Sequence, residues 1–357
     1  MIRILSPVAA LLCAAAVFAQ SQTQTLQLTA TQDNTLYEDP AGLLSNGAGQ
    51  YLFVGTNATG VARRALLRFD ISGIPAKSRV VDVQLDLVSS RSTDIAPMQA
   101  TLHRVTTPWG EGTSIGAGGE GGGGPATAGD ATWTHGIRPT TPWTNLGGDF
   151  AAEVSSEATM PVIGPVSFQK TIRLIADVQD WLDGRLPNHG WIVLGDESGP
   201  GTARRLDSRQ NTSPTGVVPR LRVTFAAPGN APSFGVGCST SGGMNFTQSI
   251  QGQPVGGQTT TLVLQSGVPF GLFITAVSYD VLPQPWTVDG CDWWLRPIPH
   301  PNLGIRFHDV NGITQIPVAI PVSAVLYGTP FALQSILVDL VHPRQYALSN
   351  AHLVVFG

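Results

Sequence analysis

The chain has 357 residues, enough for about two domains on the usual length expectation. Charged residues make up 12% and the formal net charge is −4, so nothing in the composition suggests a nucleic-acid binder, which needs a basic patch to neutralise phosphates. With 41 Gly and 27 Pro, the composition suits short strands joined by turns, an all-β chain.

The first residues read MIRILSPVAALLCAAAVFAQ. Arg3 gives a positive start, Pro7 to Phe18 an apolar stretch, and Val17-Phe18-Ala19 a cleavage site. This is the pattern of a secretory signal peptide over residues 1–19, with the mature chain starting at Gln20. The stretch is too short and wrongly flanked for a membrane span. Leu12 is a poor neighbour for a lipidated Cys13, so Cys13 leaves with the leader.

From Thr25 to Phe225, apolar–polar alternation recurs between turns. In RRALLRFDIS, Ala65, Leu67, Phe69 and Ile71 point one way and Arg64, Leu66, Arg68 and Asp70 the other, the period-two pattern of a half-buried strand. RVVDVQLDLVSS repeats it, with Val81, Val83, Leu85 and Leu87 inward. PRLRVTF repeats it again, with Leu221, Val223 and Phe225 inward. The outward Arg64, Arg68, Arg220 and Arg222, beside Asp82 and Asp86, form a charged sheet face. They either make cross-strand ion pairs or grip acidic sugars through paired guanidinium hydrogen bonds.

Asp33, Asn34, Asp39 and Asn46 in the first loops are either ordinary turn residues or oxygen ligands for a structural calcium ion. Between Pro108 and Phe150 lies a long Gly-rich segment with Trp109, Trp133 and Trp143. Their flat rings serve equally as packing or as platforms for sugar rings. Gly116 to Gly121 fits G-x-G-x-x-G only formally, with no strand leading into it and no helix following, so it is a loop and not a nucleotide site. Glu111 with Asp149, or Asp130 with Asp149, would suit glycoside hydrolysis only at the right separation.

DVQDWLDGRLPNHGWIVLG (Asp177 to Gly195) gathers Asp177, Asp180, Asp183 and His189. Val178, Trp181 and Leu182 fall at helical spacing, so a short helix plugging one end of the fold is expected, with Asp177 capping it and Asp180 and Asp183 facing solvent. Residues 227–235 carry Pro and Gly without periodicity and read as a linker. After it, TTTLVLQS, GLFITAVSY, GITQIPVAIPV, LYGTPFALQSILVDL and HLVVFG predict a second, smaller β-sandwich over 236–357, apolar and low in charge. Cys238 and Cys291 are an even pair in an exported chain, which invites a disulfide. His300, His308 and His342 show no ligand spacing, and no standard catalytic motif is present.

Several blocks in order, the Asp33 start, YLFVG, ALLRFDIS-IP, VVDVQLDL, PWGEGTS, GDATWTH, PWTNLGGDF and RRLDSRQN…PRLRVTF, make the segment from Asp33 to Phe225 similar to the DNRLRE, or disaggregatase-related, domain. The resemblance implies a jelly-roll β-sandwich in exported proteins, often attached to polysaccharide lyases, hydrolases or surface proteins, with some relatives acting as carbohydrate-binding modules. The second unit, through Gly290-Cys291 and ALSNAHLVVFG, resembles C-terminal modules of secreted bacterial proteins of undefined function. The expectation is therefore an extracellular, non-catalytic protein. It binds polysaccharide or cell-surface glycan through residues 20–226; the alternatives are a structural or assembly module of an envelope or matrix whose second unit holds a protein partner, and a secreted polysaccharide lyase or glycoside hydrolase. It has no cofactor beyond the calcium alternative at Asp33, Asp39 and Asn46.

Overall fold

The computed structural model describes residues 23–92, 94–213, 216–296 and 301–357. The expected leader, with Cys13 and the cleavage site at Ala19, and His300 lie outside the described residues.

The first unit contains strands β1 (Gln24–Tyr37), β2 (Leu44–Ser45), β3 (Tyr51–Thr56), β4 (Ala62–Phe69), β5 (Arg79–Ser92), β6 (Met98–Val105) and β7 (Gly124–Pro125). They are followed by β8 (His135–Ile137), β9 (Thr141–Pro142), β10 (Phe150–Met160), β11 (Gly164–Phe168), helix α1 (Ile172–Leu182), β12 (Trp191–Leu194), β13 (Arg204–Asp207) and β14 (Arg220–Ala226). One antiparallel layer runs β1-β14-β5-β13-β3 with β11 on β5, and the other runs β4-β12-β6-β10. Strand β1 belongs to both: Gln24–Thr29 pairs with β14 and Ala30–Tyr37 with β4. The two layers form a β-sandwich.

Period-two alternation puts Leu52, Val54, Ala65, Leu67, Phe69, Val83, Leu85, Leu87, Leu221 and Val223 into one core, almost all of them fully buried. Val81 departs from the expected inward set. The register shifts between Thr224 and Phe225, which pair with Asp82 and Val80, so Val80 takes the core position and Val81 turns away. The opposite face of β4 is not half-exposed either. Leu66 is fully buried there because the 108–150 segment folds back over it.

Helix α1 starts at Thr171, whose Oγ1 accepts from the Leu174 N–H at 2.9 Å. The expected cap, Asp177, instead sits mid-helix and buried. Leu174, Val178 and Trp181 face the core, and the Trp181 ring lies 4.5 Å from that of Trp191. Gly190, just before β12, has φ +73°, and a Cβ there would strike the Leu67 carbonyl.

The second unit contains β15 (Ser233–Phe234), β16 (Thr247–Gln251), β17 (Thr259–Gln265), β18 (Leu272–Ser278), β19 (Val281–Val288) and β20 (Cys291–Leu295). Next come β21 (Asn302–Phe307), β22 (Ile313–Ala319), β23 (Pro330–Val338), β24 (Tyr346–Leu348) and β25 (Ala351–Val355). A sheet ordered β15-β25-β23-β18-β21, with β24 on β23, packs against a three-stranded sheet β16-β17-β22, and β19-β20 forms a separate hairpin. Phe246, Leu262, Leu264, Phe273, Ile316 and Leu337 fill the interior beside the Cys238–Cys291 disulfide, whose Cα atoms are 5.6 Å apart.

The stretch read as a linker is docked. Ser233 and Phe234 pair with His352 and Ala351, and Asn230 bridges to Val355. Val81 and Ala226 of the first unit pack with Ala276, Val281, Leu295, Ala332, Leu353 and Val355 of the second, and Arg79 pairs with Asp280.

Candidate functional site

The tryptophans expected as platforms are buried: Trp109, Trp133 and Trp143 are only 4%, 7% and 6% exposed. With Leu36, Leu66, Val105 and Ile192 they form an apolar layer over the outer face of β4, β12 and β6. Two indole N–H groups are consumed inside, Trp109 donating to the His189 carbonyl and Trp143 to the Thr132 carbonyl, both at 2.8 Å. A sugar ring stacks only on an exposed face, so these rings are packing and not platforms.

The four arginines expected to act together are divided between the layers. Arg64 and Arg68 lie on the outer face of β4, while Arg220 and Arg222 lie on β14 in the other layer. Arg64 is sealed in, donating to both Glu197 carboxylate oxygens at 2.8 Å and stacking 4.8 Å above the Trp133 ring. Arg68 donates to Gln32 at 3.2 Å, and Arg222 pairs with Asp86 at 3.3 Å.

The residues named for calcium have other partners. Asp39 uses both oxygens in its own turn, accepting from the Ala41 and Leu43 N–H groups. The Asn46 side chain accepts from Gly116 N–H and donates to Tyr51 O and Glu120. Asp33 accepts from Arg209 N–H at 2.7 Å. Asn34, beside it, donates to the Glu111 carbonyl. Among the described residues there is no group of three or more His, Cys, Asp or Glu that could hold a metal ion.

The carboxylates considered for hydrolysis are also engaged. Glu111 forms a forked pair with Arg209, Asp130 accepts from Thr113 N–H, Thr127 N–H and the Ser114 hydroxyl, and Asp149 accepts from Thr144 and Asn145 N–H groups. Burial would raise Asp149, but those two N–H bonds together with side-chain hydrogen bonds from Thr107 and Thr144 hold its carboxyl below the ordinary range.

The Asp177 group is scaffold. Asp177 accepts from Ser155 and from Trp191 Nε1 and lies 3.4 Å from Arg104 Nε, and burial raises its carboxyl. Asp180 and Asp183 stay at the surface, both paired with Arg185. His308 is a core residue stacked 4.7 Å from Phe273, and burial lowers it to about 4.

A different set of residues converges on a cleft of about 530 Å³ at the β3-β13-β5 face. Across these strands Phe53, Arg205 and Arg91 stand directly opposite one another. Strict alternation from Val83, Leu85 and Leu87 would send Arg91 inward. One extra residue at Ser90, between the Leu206–Ser89 and Arg205–Arg91 pairs, turns it to the outer face instead. Arg63, opposite Gly55 at the start of β4, closes one end, and the loop from Ala117 to Gly122 forms a wall.

The partners of these guanidinium groups are neutral. Arg205 donates to Ser90 Oγ at 3.1 Å and stacks 3.8 Å above the Tyr51 ring. Arg63 donates to the carbonyls of Gly121 and Val61 at 2.8 and 2.9 Å, and burial lowers its pKa from the usual guanidinium value. Arg91 is exposed and has no ion-pair partner among the described residues.

The one acid lining the cleft among the described residues, Glu120, directs its carboxylate to Asn46 Nδ2 and the Gln50 and Tyr51 N–H groups at 3.0–3.2 Å. Like charges directly opposite on neighbouring strands destabilise a sheet, so Arg91 beside Arg205 without a carboxylate is an arrangement that an anion would relieve. Sequence reading missed all three arginines. Arg91 is hidden by the bulge, and Arg63 and Arg205 meet only through the fold.

The chain matches no family model, and no curated protein matches it.

Proposed function

We propose that the chain is an exported, non-catalytic binding protein that holds an acidic polysaccharide in the cleft of Arg63, Arg91 and Arg205. The observation that carries this reading is three guanidinium groups, without a carboxylate partner among the described residues, lining one open cleft. A guanidinium fork matches a carboxylate or sulfate with two parallel hydrogen bonds, and such charge-assisted bonds are about twice as strong as neutral ones. Ser92, Asn57 and the glycine wall add small polar groups suited to sugar hydroxyls. The cleft lies within the volume range of about 300–1,000 Å³ usual for ligand sites. The disulfide, the leader-like start and the ordered blocks that resemble DNRLRE domains support the extracellular setting and the glycan class.

The test is pull-down and titration with a polyuronate, a sulfated glycan and a neutral glucan, using the chain, the double variant Arg91→Glu/Arg205→Glu and the control Arg222→Glu. Binding of an acidic polymer that weakens by roughly ten- to a hundredfold in the double variant and persists in the control is expected. Absence of binding to both acidic polymers, or equal binding by the double variant, overturns the reading.

A further inference from the structure

The second unit holds a cavity that is separate from the arginine cleft. Its interior contains two apolar clusters rather than one. Phe246, Leu264, Phe273 and Leu337 fill the disulfide end, while Leu333 and Val354 belong to a second cluster with Ala231. The inward positions of β18 and β23 run Phe273, Thr275, Val277 and Leu337, Ser335, Leu333, so a polar layer divides the two clusters. Thr275, Ser335 and Gln248 hydrogen-bond to one another there, at 2.8 and 2.9 Å. Beyond that layer a cavity of about 150 Å³ lies between the two sheets. Ile250, Leu262 and Ile320 line one side of it, and Val277, Leu333 and Val354 the other. Its mouth lies between the two edge strands, at Leu303 of β21 and Val318 of β22, which are 39% and 36% exposed. A bulge sets that rim. Ile305 pairs with Ile274 and Asn302 with Ala276, so Leu303 and Gly304 together stand against Thr275. Gly304 takes φ +84°, and the extra residue turns Leu303 to the inner face, where it meets the cavity.

We infer that this cavity binds a small uncharged apolar molecule, a hydrocarbon group of about six carbons. The lining selects that chemistry. Among the described residues Thr260 is its one polar side chain, and the Thr260 hydroxyl donates to the Val318 carbonyl at 3.5 Å. The nearby Thr275, Ser335 and Gln248 already satisfy one another, so the wall leaves no side chain to hold a water, which needs two to four polar partners. A sugar would bring hydroxyls, and a peptide N–H and C=O groups, that these walls cannot pair. No charged side chain lines the cavity among the described residues, so an ion gains nothing by entering. The size agrees, because an apolar cavity of about 150 Å³ stays dry and accepts a benzene ring. An empty cavity forfeits dispersion contacts on every wall, and an apolar ligand restores them.

The test is methyl-resolved NMR of the full chain titrated with benzene and, separately, with dioxane, a ring of similar size that carries two ether oxygens. Saturable benzene shifts at the methyl groups of Leu262, Leu333 and Val354 are expected, with a melting temperature that rises with benzene concentration. Dioxane should bind at least roughly tenfold more weakly. Val277→Phe puts a ring into the cavity and should weaken benzene binding roughly tenfold or more. Benzene shifts that do not saturate at those methyl groups overturn the inference. So does equal binding of dioxane, or undiminished benzene binding by a folded Val277→Phe. The wild-type methyl map and the dioxane comparison decide the matter even if that variant fails to fold.

Discussion

Replacing Asp33 by Asn should make the protein more stable at high pH and leave it nearly unchanged in acid. Asp33 is 1% exposed and accepts from the Arg209 N–H at 2.7 Å, while its own N–H donates to Glu111 at 3.0 Å. Burial, opposed by the Arg209 N–H bond and reinforced by the Glu111 charge, pushes its carboxyl up to about 7 from 3.8. A raised carboxyl pKa means that the folded state holds its proton while the unfolded chain gives it up. The associated stability is complete below about 3.8 and is lost as pH rises through about 7.

An asparagine keeps the acceptor for Arg209 and never ionises. Between pH 5 and pH 9 the wild type loses about 2–3 kcal/mol through this carboxyl that the variant keeps. Urea denaturation of both proteins at the two pH values measures the effect as the difference of differences, in which every other titrating group cancels. If the variant differs from wild type by the same amount at both pH values, to within about 0.5 kcal/mol, the buried carboxyl is ionised throughout and the reasoning fails.

Trp133→Ala should cost about 3–5 kcal/mol in denaturation, because it opens a cavity in the layer over β4, while the folded fraction binds acidic polymer as before. Thr171→Ala should cost about 1 kcal/mol by removing the acceptor for the Leu174 N–H, read from urea midpoints. Converting Cys238 and Cys291 together to Ser opens a bridge spanning 53 residues in sequence, worth up to about 4 kcal/mol in the chain-entropy model, and lowers the melting temperature of the second unit. Binding of acidic polymer should weaken steadily as salt rises from low to physiological strength, and salt-independent binding would point away from the arginine cleft.

The strands were legible because burial on one face leaves a period of two in the residues themselves. Ala65, Leu67 and Phe69, or Leu221, Val223 and Phe225, announce their core without any neighbour being known. The apolar face of α1 was legible for the same reason at a different period, in Val178 and Trp181. Its cap was not. Thr171 and Asp177 both suit a helix start, and only the position of the turn on the sandwich decides which of them occupies it.

The candidate site was the least legible part. A tryptophan reads the same on the outside of a sandwich as it does beneath a folded-back loop, and Trp109, Trp133 and Trp143 lie beneath one. An outward arginine reads the same whichever layer carries it, so Arg64 and Arg222 looked like neighbours although they belong to different layers.

Alternation, turn residues and the even cysteine pair are local in the chain, and they determined an all-β architecture with its core residues and the Cys238–Cys291 bridge as an expectation. Function-bearing geometry is not local. Arg63, Arg91 and Arg205 are separated by up to 142 residues, and what brings them together is strand order, plus one extra residue at Ser90 that reverses the direction of a side chain. Side-chain periodicity is written into sequence because each residue meets water or core on its own strand. Which strands then lie side by side depends on the packing of the whole sandwich, and that was decided only in three dimensions.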